Sequence, residues 1–98
     1  MAGSDKLTLL KAELNMMNPP AERVTLLNQL LEIAASRIKH KGITLDDADA
    51  GDAHLQVEYA AWLYRRRMQQ ATAQMPEYLR LDLNDRLIHE KGQVISNG

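Results

Sequence analysis

The sequence of 98 residues has no cysteine, no phenylalanine, three prolines and five glycines. Without cysteine the chain has no disulfide framework, no thiol nucleophile and no cysteine-ligated zinc site. No apolar run reaches the length of about 18 residues that a transmembrane helix requires. Residues 1–5 lack the charged and apolar regions of a signal peptide. These absences favour a cytoplasmic protein with no membrane segment.

The net charge of the chain is also close to zero. Lysine and arginine number 12, aspartate and glutamate 13, and the net charge is −1. Domains held to nucleic acid by bulk charge are usually clearly basic, so this balance argues against that class. The length fits one domain, and we expect residues 1–98 to form a single unit with its core at about 5–91 and a flexible tail at 92–98.

The residues that are present favour helix. Leucine, alanine, methionine, glutamine and charged residues outnumber the β-branched residues, and no segment alternates as a strand would. Apolar spacing, together with breaks at proline and glycine, predicts helices over residues 5–14, 20–41, 52–74 and 76–91. The predicted fold is therefore all-α, a small bundle of about four helices joined by short loops.

The third helix is expected at the centre of this bundle, because it is the most apolar and carries the single tryptophan. Core positions are those that repeat at helical spacing on the second and third helices. The predicted core residues are Leu27, Leu31, Ile38, Tyr59, Trp62 and Leu63.

An acidic connector at residues 43–51 partly resembles a calcium loop. Asp47, Asp49 and Glu58 have the spacing of loop positions 1, 3 and 12, but the glycine required at position 6 is replaced by Asp52. We therefore expect a solvated connector in which Asp52 caps the third helix.

No catalytic motif is present. His40, His54 and His89 share no local ligand spacing, the serines and threonines lie in no nucleophile motif, and the scattered glycines form no phosphate loop. A metal or catalytic site would require convergence in the tertiary structure. We expect a protein that is not an enzyme and has no metal, cofactor or catalytic residue.

The strongest local charge feature is Arg65-Arg66-Arg67. Consecutive helical residues point about 100° apart, so these side chains do not form one flat patch. The run is typical of a salt-bridged helix surface, and contact with a protein partner or with nucleic acid remains open. The candidate residues for a subunit or partner interface are Arg65, Arg66, Arg67, Arg80 and Arg86.

The order of these segments resembles a known family. A leucine-rich helix at residues 26–38 precedes a glycine and an acidic connector. The aromatic and basic stretch Val57–Arg67 follows, then Met75-Pro-Glu-Tyr-Leu-Arg80 and Leu83-Asn-Asp-Arg86-Leu. Over residues 22–88 this pattern is similar to the small helical head–tail connector proteins of tailed bacteriophages and prophages, often described as adaptor or DNA-packaging proteins.

The resemblance implies a structural role in the neck of a virion that is assembled in the host cytoplasm. Members of the family form a ring of about a dozen copies below the portal protein, and the ring also receives a tail-completion or stopper protein. DNA passes through the channel without sequence-specific binding. The resemblance further implies that the C-terminal part docks towards the portal, with Ile88, Val94 and Ile95 as the residues concerned.

A small helical DNA-binding or regulatory protein is the alternative. Such a protein needs a helix–turn–helix, in which a short turn leads to a helix with exposed polar residues. The break at Met75-Pro76 is the short-turn candidate, with Arg80 and Arg86 as contacts.

Overall fold

Four helices account for most of the chain in this computed structural model. The structure describes residues 3–69 and 74–97, and the side chains of residues 6–68 and 74–92. The helices within these ranges are α1 (Gly3–Glu13), α2 (Ala21–His40), α3 (Ala50–Gln69) and α4 (Glu77–Asn97). The described residues contain no strand, which confirms the predicted all-α class and the number of helices.

The start of α3 differs from the prediction. Asp49, not Asp52, is the N-cap, because its Oδ1 accepts the backbone N–H of Gly51 at 2.8 Å and its carbonyl accepts the N–H of Ala53 at 3.0 Å. The helix therefore begins at Ala50, and the capping role predicted for Asp52 was wrong. Asp52 lies inside the first turn, where its carboxylate is free to contact other elements.

The predicted ends of the last two helices also changed. Gly92 was expected to end α4, but α4 continues to Asn97 because Gly92 keeps a helical backbone and no proline follows it. A helical glycine costs about 1 kcal/mol relative to alanine without ending the helix. The predicted end of α3 at residue 74 was wrong, since Gln74 is not helical, while residues 70–73 lie outside the described residues.

The C-terminal ends of α1 and α2 are capped in the same way. Gly42 has φ of 99° and Asn15 has φ of 59°, the left-handed conformation that glycine and asparagine adopt most readily. The N–H of Ile43 reaches the carbonyl of Ile38 at 3.4 Å, and the N–H of Met16 reaches that of Lys11 at 2.8 Å. These are Schellman motifs, and each turns the chain sharply so that the next segment folds back on the bundle.

The middle of α3 is buried on all sides. Each residue from Leu55 to Tyr64 is buried, and α3 packs against each of the other three helices. This confirms the central position predicted for it. The six predicted core residues are all buried. The other elements add core side chains of the same apolar kind: Leu10, Leu30, Ala34, Ile43, Leu79 and Leu83.

The direction of α2 against α3 follows from two polar contacts. Arg23 Nη1 donates to the hydroxyl of Tyr64, and Gln56 Nε2 donates to the carbonyl of Leu31 at 2.8 Å. The residue number falls along one helix as it rises along the other, so the two helices are antiparallel. The N-terminal end of α3 therefore lies beside the C-terminal end of α2.

We expect Trp62→Ala to lower the free energy of unfolding by about 3–5 kcal/mol, because removing a buried large side chain leaves a cavity. The Trp62 side chain is buried and packs edge-on against Tyr59, with ring centroids 5.5 Å apart. Urea denaturation followed by circular dichroism measures the change. Met17→Ala is the control, since Met17 is 89% exposed and its loss should change stability by less than about 0.5 kcal/mol. Equal stabilities of wild type and Trp62→Ala would contradict the central packing of Trp62.

Candidate functional site

A groove of about 420 Å³ separates the N-terminal half of α3 from α4. We call it the acidic groove, because five of its lining residues are carboxylates. Its lining consists of Asp49, Gly51, Asp52, His54, Leu55, Glu58, Asp82, Asp85 and Arg86. Neither Asp82 nor Asp85 is among the site residues predicted from the sequence. Their spacing of three residues on a helix places them on neighbouring positions of one face, which was the available signal.

Arg86 is the single arginine of the groove, and it is already engaged. Its Nε lies 2.8 Å from Asp52 Oδ1, its Nη1 lies 2.9 Å from Glu90 Oε1, and its Nη2 donates to the carbonyl of Thr44 at 2.8 Å. The side chain of Arg86 therefore joins α4 to α3 and to the connector between α2 and α3. All of these contacts lie within the subunit, and the prediction that Arg86 belongs to an interface stays a prediction.

Asp52 is held by this arginine and by the connector. Burial by itself raises the pKa of Asp52, but the hydrogen bonds from Arg86 and from the backbone N–H of Asp46, with the charge of Arg86, bring the pKa below its ordinary value of 3.8. The N–H of Asp46 lies 2.8 Å from Asp52 Oδ2. The carboxylate is therefore ionised and satisfied at neutral pH, and it acts as a structural anchor.

The carboxyl group of Glu58 is less well satisfied than that of Asp52. Its side chain is 10% exposed, and its Oε1 atom accepts no hydrogen bond within the described part of the chain. His54 Nε2 lies 3.1 Å from Oε1 without hydrogen-bond geometry. Burial raises the pKa of Glu58 and the nearby His54 opposes this, while the charge of Asp82, a hydrogen bond with Asp82 and the charge of Glu13 raise it further. Glu58 is thus a buried carboxyl group whose ionised form is disfavoured even though the imidazole of His54 lies beside it.

The arginine run at the end of α3 divides into three different environments. Arg65 Nη2 donates to the carbonyl of Glu13 at 3.2 Å, and the guanidinium of Arg66 lies 5.5 Å from the ring centroid of Trp62. Arg67 is exposed and has no ionic partner among the residues that the structure describes. Arg80, the remaining candidate, lies 3.8 Å from Glu77 on the surface of α4. The five predicted interface arginines therefore do not form one patch.

The outer face of α4 carries exposed apolar side chains. Tyr78 is 45%, Leu81 47% and Ile88 68% exposed, and Leu81 and Ile88 are seven residues apart on one face of the helix. The inner face of α4 carries the buried Leu79 and Leu83. Val94 and Ile95 were predicted, together with Ile88, to form the docking surface of the C-terminal part. The side chains of Val94 and Ile95 lie outside the described residues.

The acidic connector does not form a calcium site in this arrangement. Asp47 Oδ1 is 2.8 Å from Lys6 Nζ, while Asp49 Oδ1 accepts a backbone N–H of α3. The hydrogen bond and the charge of Lys6 lower the pKa of Asp47. The acidic side chains therefore diverge towards separate partners and hold the connector against α1 and α3.

The described residues hold no group of three or more histidine, aspartate or glutamate side chains placed to bind a metal ion. In the same part of the chain, no helix combines the length and apolar character needed to cross a membrane. The chain matches no family model, no curated protein and no solved structure.

We expect Arg86→Met to lower the free energy of unfolding by about 3 kcal/mol at pH 7, because it leaves Asp52 buried without its cation. The folded-state pKa of Asp52 is below 3.8, so this contribution is present above pH 3.8 and is lost as the pH falls through the folded-state value. Thermal unfolding of both proteins between pH 3 and pH 7 measures the difference. Arg37→Met is the control, since Arg37 is exposed. A constant difference across this range would contradict the role of Asp52.

We expect Glu58→Gln to raise the unfolding temperature by a few degrees at pH 7. A carboxyl group whose pKa is raised on folding stabilises the folded state in acid, and it loses that effect as the pH rises through the folded-state pKa. The difference between the variant and wild type should therefore be small below pH 4.5 and largest near neutral pH. Asp85→Asn, in the same groove but exposed, is the control and should change little. A lower unfolding temperature for Glu58→Gln at pH 7 would contradict the unsatisfied state of Glu58.

Proposed function

We propose that this chain is a structural subunit of the head–tail connector of a tailed phage. Copies of the chain would form a ring of about a dozen subunits under the portal protein, extend the DNA channel and receive a tail-completion or stopper protein. The role is mechanical and not enzymatic. DNA passes through the ring without sequence-specific recognition, in the neck of the virion.

The observation that supports this proposal is that α4 has apolar side chains on both of its faces, although only the inner face packs against the core. The inner face is committed to the core through Leu79 and Leu83, while Leu81 and Ile88 of the outer face are exposed. Apolar side chains that are aligned on the outermost helix of a small domain are typical of a surface that a partner covers. For the C-terminal half of α4, the portal is the partner that the sequence resemblance implies.

The charge distribution also suits a channel component. The net charge is −1, so the chain has no excess of cations to hold passing phosphates. A ring that grips DNA through many phosphate contacts would resist its movement. A nearly neutral subunit is therefore consistent with a channel through which DNA slides.

The DNA-binding alternative finds less support in the same residues. A recognition helix needs free polar or basic side chains near its N-terminal end. Arg86 is bonded to Asp52 and Glu90, so one of its two candidate contacts is engaged inside the subunit. Arg80 alone remains exposed on α4 among the two arginines considered for this role.

Size-exclusion chromatography with light scattering, over a hundredfold range of protein concentration, tests the proposal. We expect a closed species of about a dozen subunits whose mass stays constant once it has formed, because cyclic closure leaves no free contact surface. Wild-type protein in dilute and concentrated samples provides its own control. A stable dimer would instead favour the regulatory alternative, and a monomer at all concentrations would contradict a ring that closes by itself.

A further inference from the structure

Glu58 on α3 and Asp82 on α4 line the acidic groove from its two sides and are joined by a hydrogen bond. An ionised carboxylate is an acceptor only, so a hydrogen bond between two carboxyl groups requires that one of them carries a proton. When neither group carries one, two like charges meet at the same place and repel. The contact between the two helices at this point therefore depends on the protonation state of the pair.

Glu58 is the member of the pair that holds the proton. Its side chain is 10% exposed and its Oε1 accepts no hydrogen bond within the described ranges, whereas Asp82 is exposed to water. Burial disfavours the charged form of a carboxyl group, so the proton stays on the buried partner. The pKa of Glu58, which burial raises and His54 opposes, agrees with this assignment.

The charged groups that face Glu58 from α1 and from α3 itself have opposite effects. His54 Nε2 lies 3.1 Å from Glu58 Oε1 and favours the ionised form of Glu58 when the imidazole is protonated. Glu13 on α1 disfavours the ionised form, and the cation nearest to it, Arg65 Nη2, lies 3.6 Å from its own Oε2. α2 packs on the side of α3 that carries Gln56, about 200° around the helix from Glu58.

The remaining charged groups of the groove have other partners or are exposed. Arg86 is bonded to the two carboxylates described above, and Asp49 caps the first turn of α3. Asp85 lines the groove three residues after Asp82 and is exposed. Asp82 is therefore the group of α4 that contacts Glu58, and Asp85 provides a matched comparison for it.

We propose that Glu58 and Asp82 form a proton-operated contact between α3 and α4. When the pair holds one proton, the carboxyl group of Glu58 donates to the carboxylate of Asp82 and joins the helices. When that proton leaves to water, both groups are ionised and the contact is lost. Because Asp82 is exposed, the proton exchanges directly with solvent. The contact belongs to the single subunit and does not depend on the proposed ring.

The direction of the pH dependence follows from Glu58. Its folded-state pKa is above the ordinary value of 4.5, so the contact stabilises the folded chain fully below pH 4.5. The stabilisation is lost as the pH rises through the folded-state value. The junction of α3 and α4 is thus tighter in acid than at neutral pH.

Titration of the Glu58 side chain by ¹³C NMR tests the contact directly. The full chain, labelled at its side-chain carboxyl groups, is prepared as wild type, Asp82→Asn and Asp85→Asn, and the Glu58 signal is identified by its loss in Glu58→Gln. Asp82→Asn removes the like charge and supplies an N–H donor to the ionised form of Glu58. We therefore expect the titration midpoint of Glu58 to fall towards 4.5 in this variant.

Asp85→Asn is the matched control, because it makes the same substitution one helical turn away in the same groove. It should leave the Glu58 midpoint close to that of wild type. Both aspartates are exposed, so neither variant should misfold. If Asp82→Asn leaves the midpoint unchanged, burial alone sets the titration and the contact is wrong. If Asp85→Asn lowers it as far, the overall charge of the groove is responsible and the contact is again wrong.

Thermal unfolding of Glu58→Gln, Asp82→Asn and the double variant provides a second measurement. Either single substitution removes the repulsion at pH 7 and restores a donor, so we expect each to raise the unfolding temperature by a few degrees. The double variant should gain no more than the larger single gain, because the two substitutions act on one contact. All gains should shrink below pH 4.5, where wild type holds the proton.

Additive gains in the double variant would show that the two carboxyl groups act independently, and would overturn the proposal. Gains that persist unchanged in acid would overturn it as well, since the proton would then have no part in them. None of these results bears on the ring, because each is measured within the subunit and the ring is tested separately by light scattering.

Discussion

The burial of the middle of α3 on all sides is the constraint on which the rest of the structure depends. From Leu55 to Tyr64 the helix has no solvent face, so a polar residue in or beside this stretch must find a partner or remain unsatisfied. Gln56 donates to the carbonyl of Leu31, and Asp52 binds Arg86. Glu58 Oε1 and Trp62 Nε1, both on this helix, are the buried side-chain atoms of the described residues that have no hydrogen-bond partner. The acidic groove lies beside Glu58.

The helices and the core were predictable because they depend on local periodicity. Apolar residues such as Leu27, Leu31 and Ile38 repeat every three or four positions, and this spacing by itself indicates a helix with one buried face. Helix ends were harder to predict, because they depend on which of several similar residues is used. Asp52 was predicted to cap α3, but the path of the connector places the carboxylate of Asp49, not that of Asp52, at the backbone N–H of Gly51.

The polar site was not predictable for a different reason. Arg86 and Asp52 are 34 residues apart, and nothing in the local sequence of either one specifies the other. The sequence pattern therefore named Arg86 as a candidate interface residue and could not show that its guanidinium binds Asp52 and Glu90 within the subunit. The separate environments of Arg65, Arg66 and Arg67 likewise depend on α1 and on Trp62, whose positions only the tertiary packing provides.

The attachment of α4 has a consequence for cooperativity. α4 packs chiefly on α3, through the buried Leu79 and Leu83 of its inner face and through Arg86, which also binds the connector through Thr44. Because one guanidinium joins both α4 and the connector to α3, loosening either of them breaks contacts of the other. Release of α4 would also withdraw Leu79 and Leu83 from the core, so the helix, the connector and the core are coupled in unfolding.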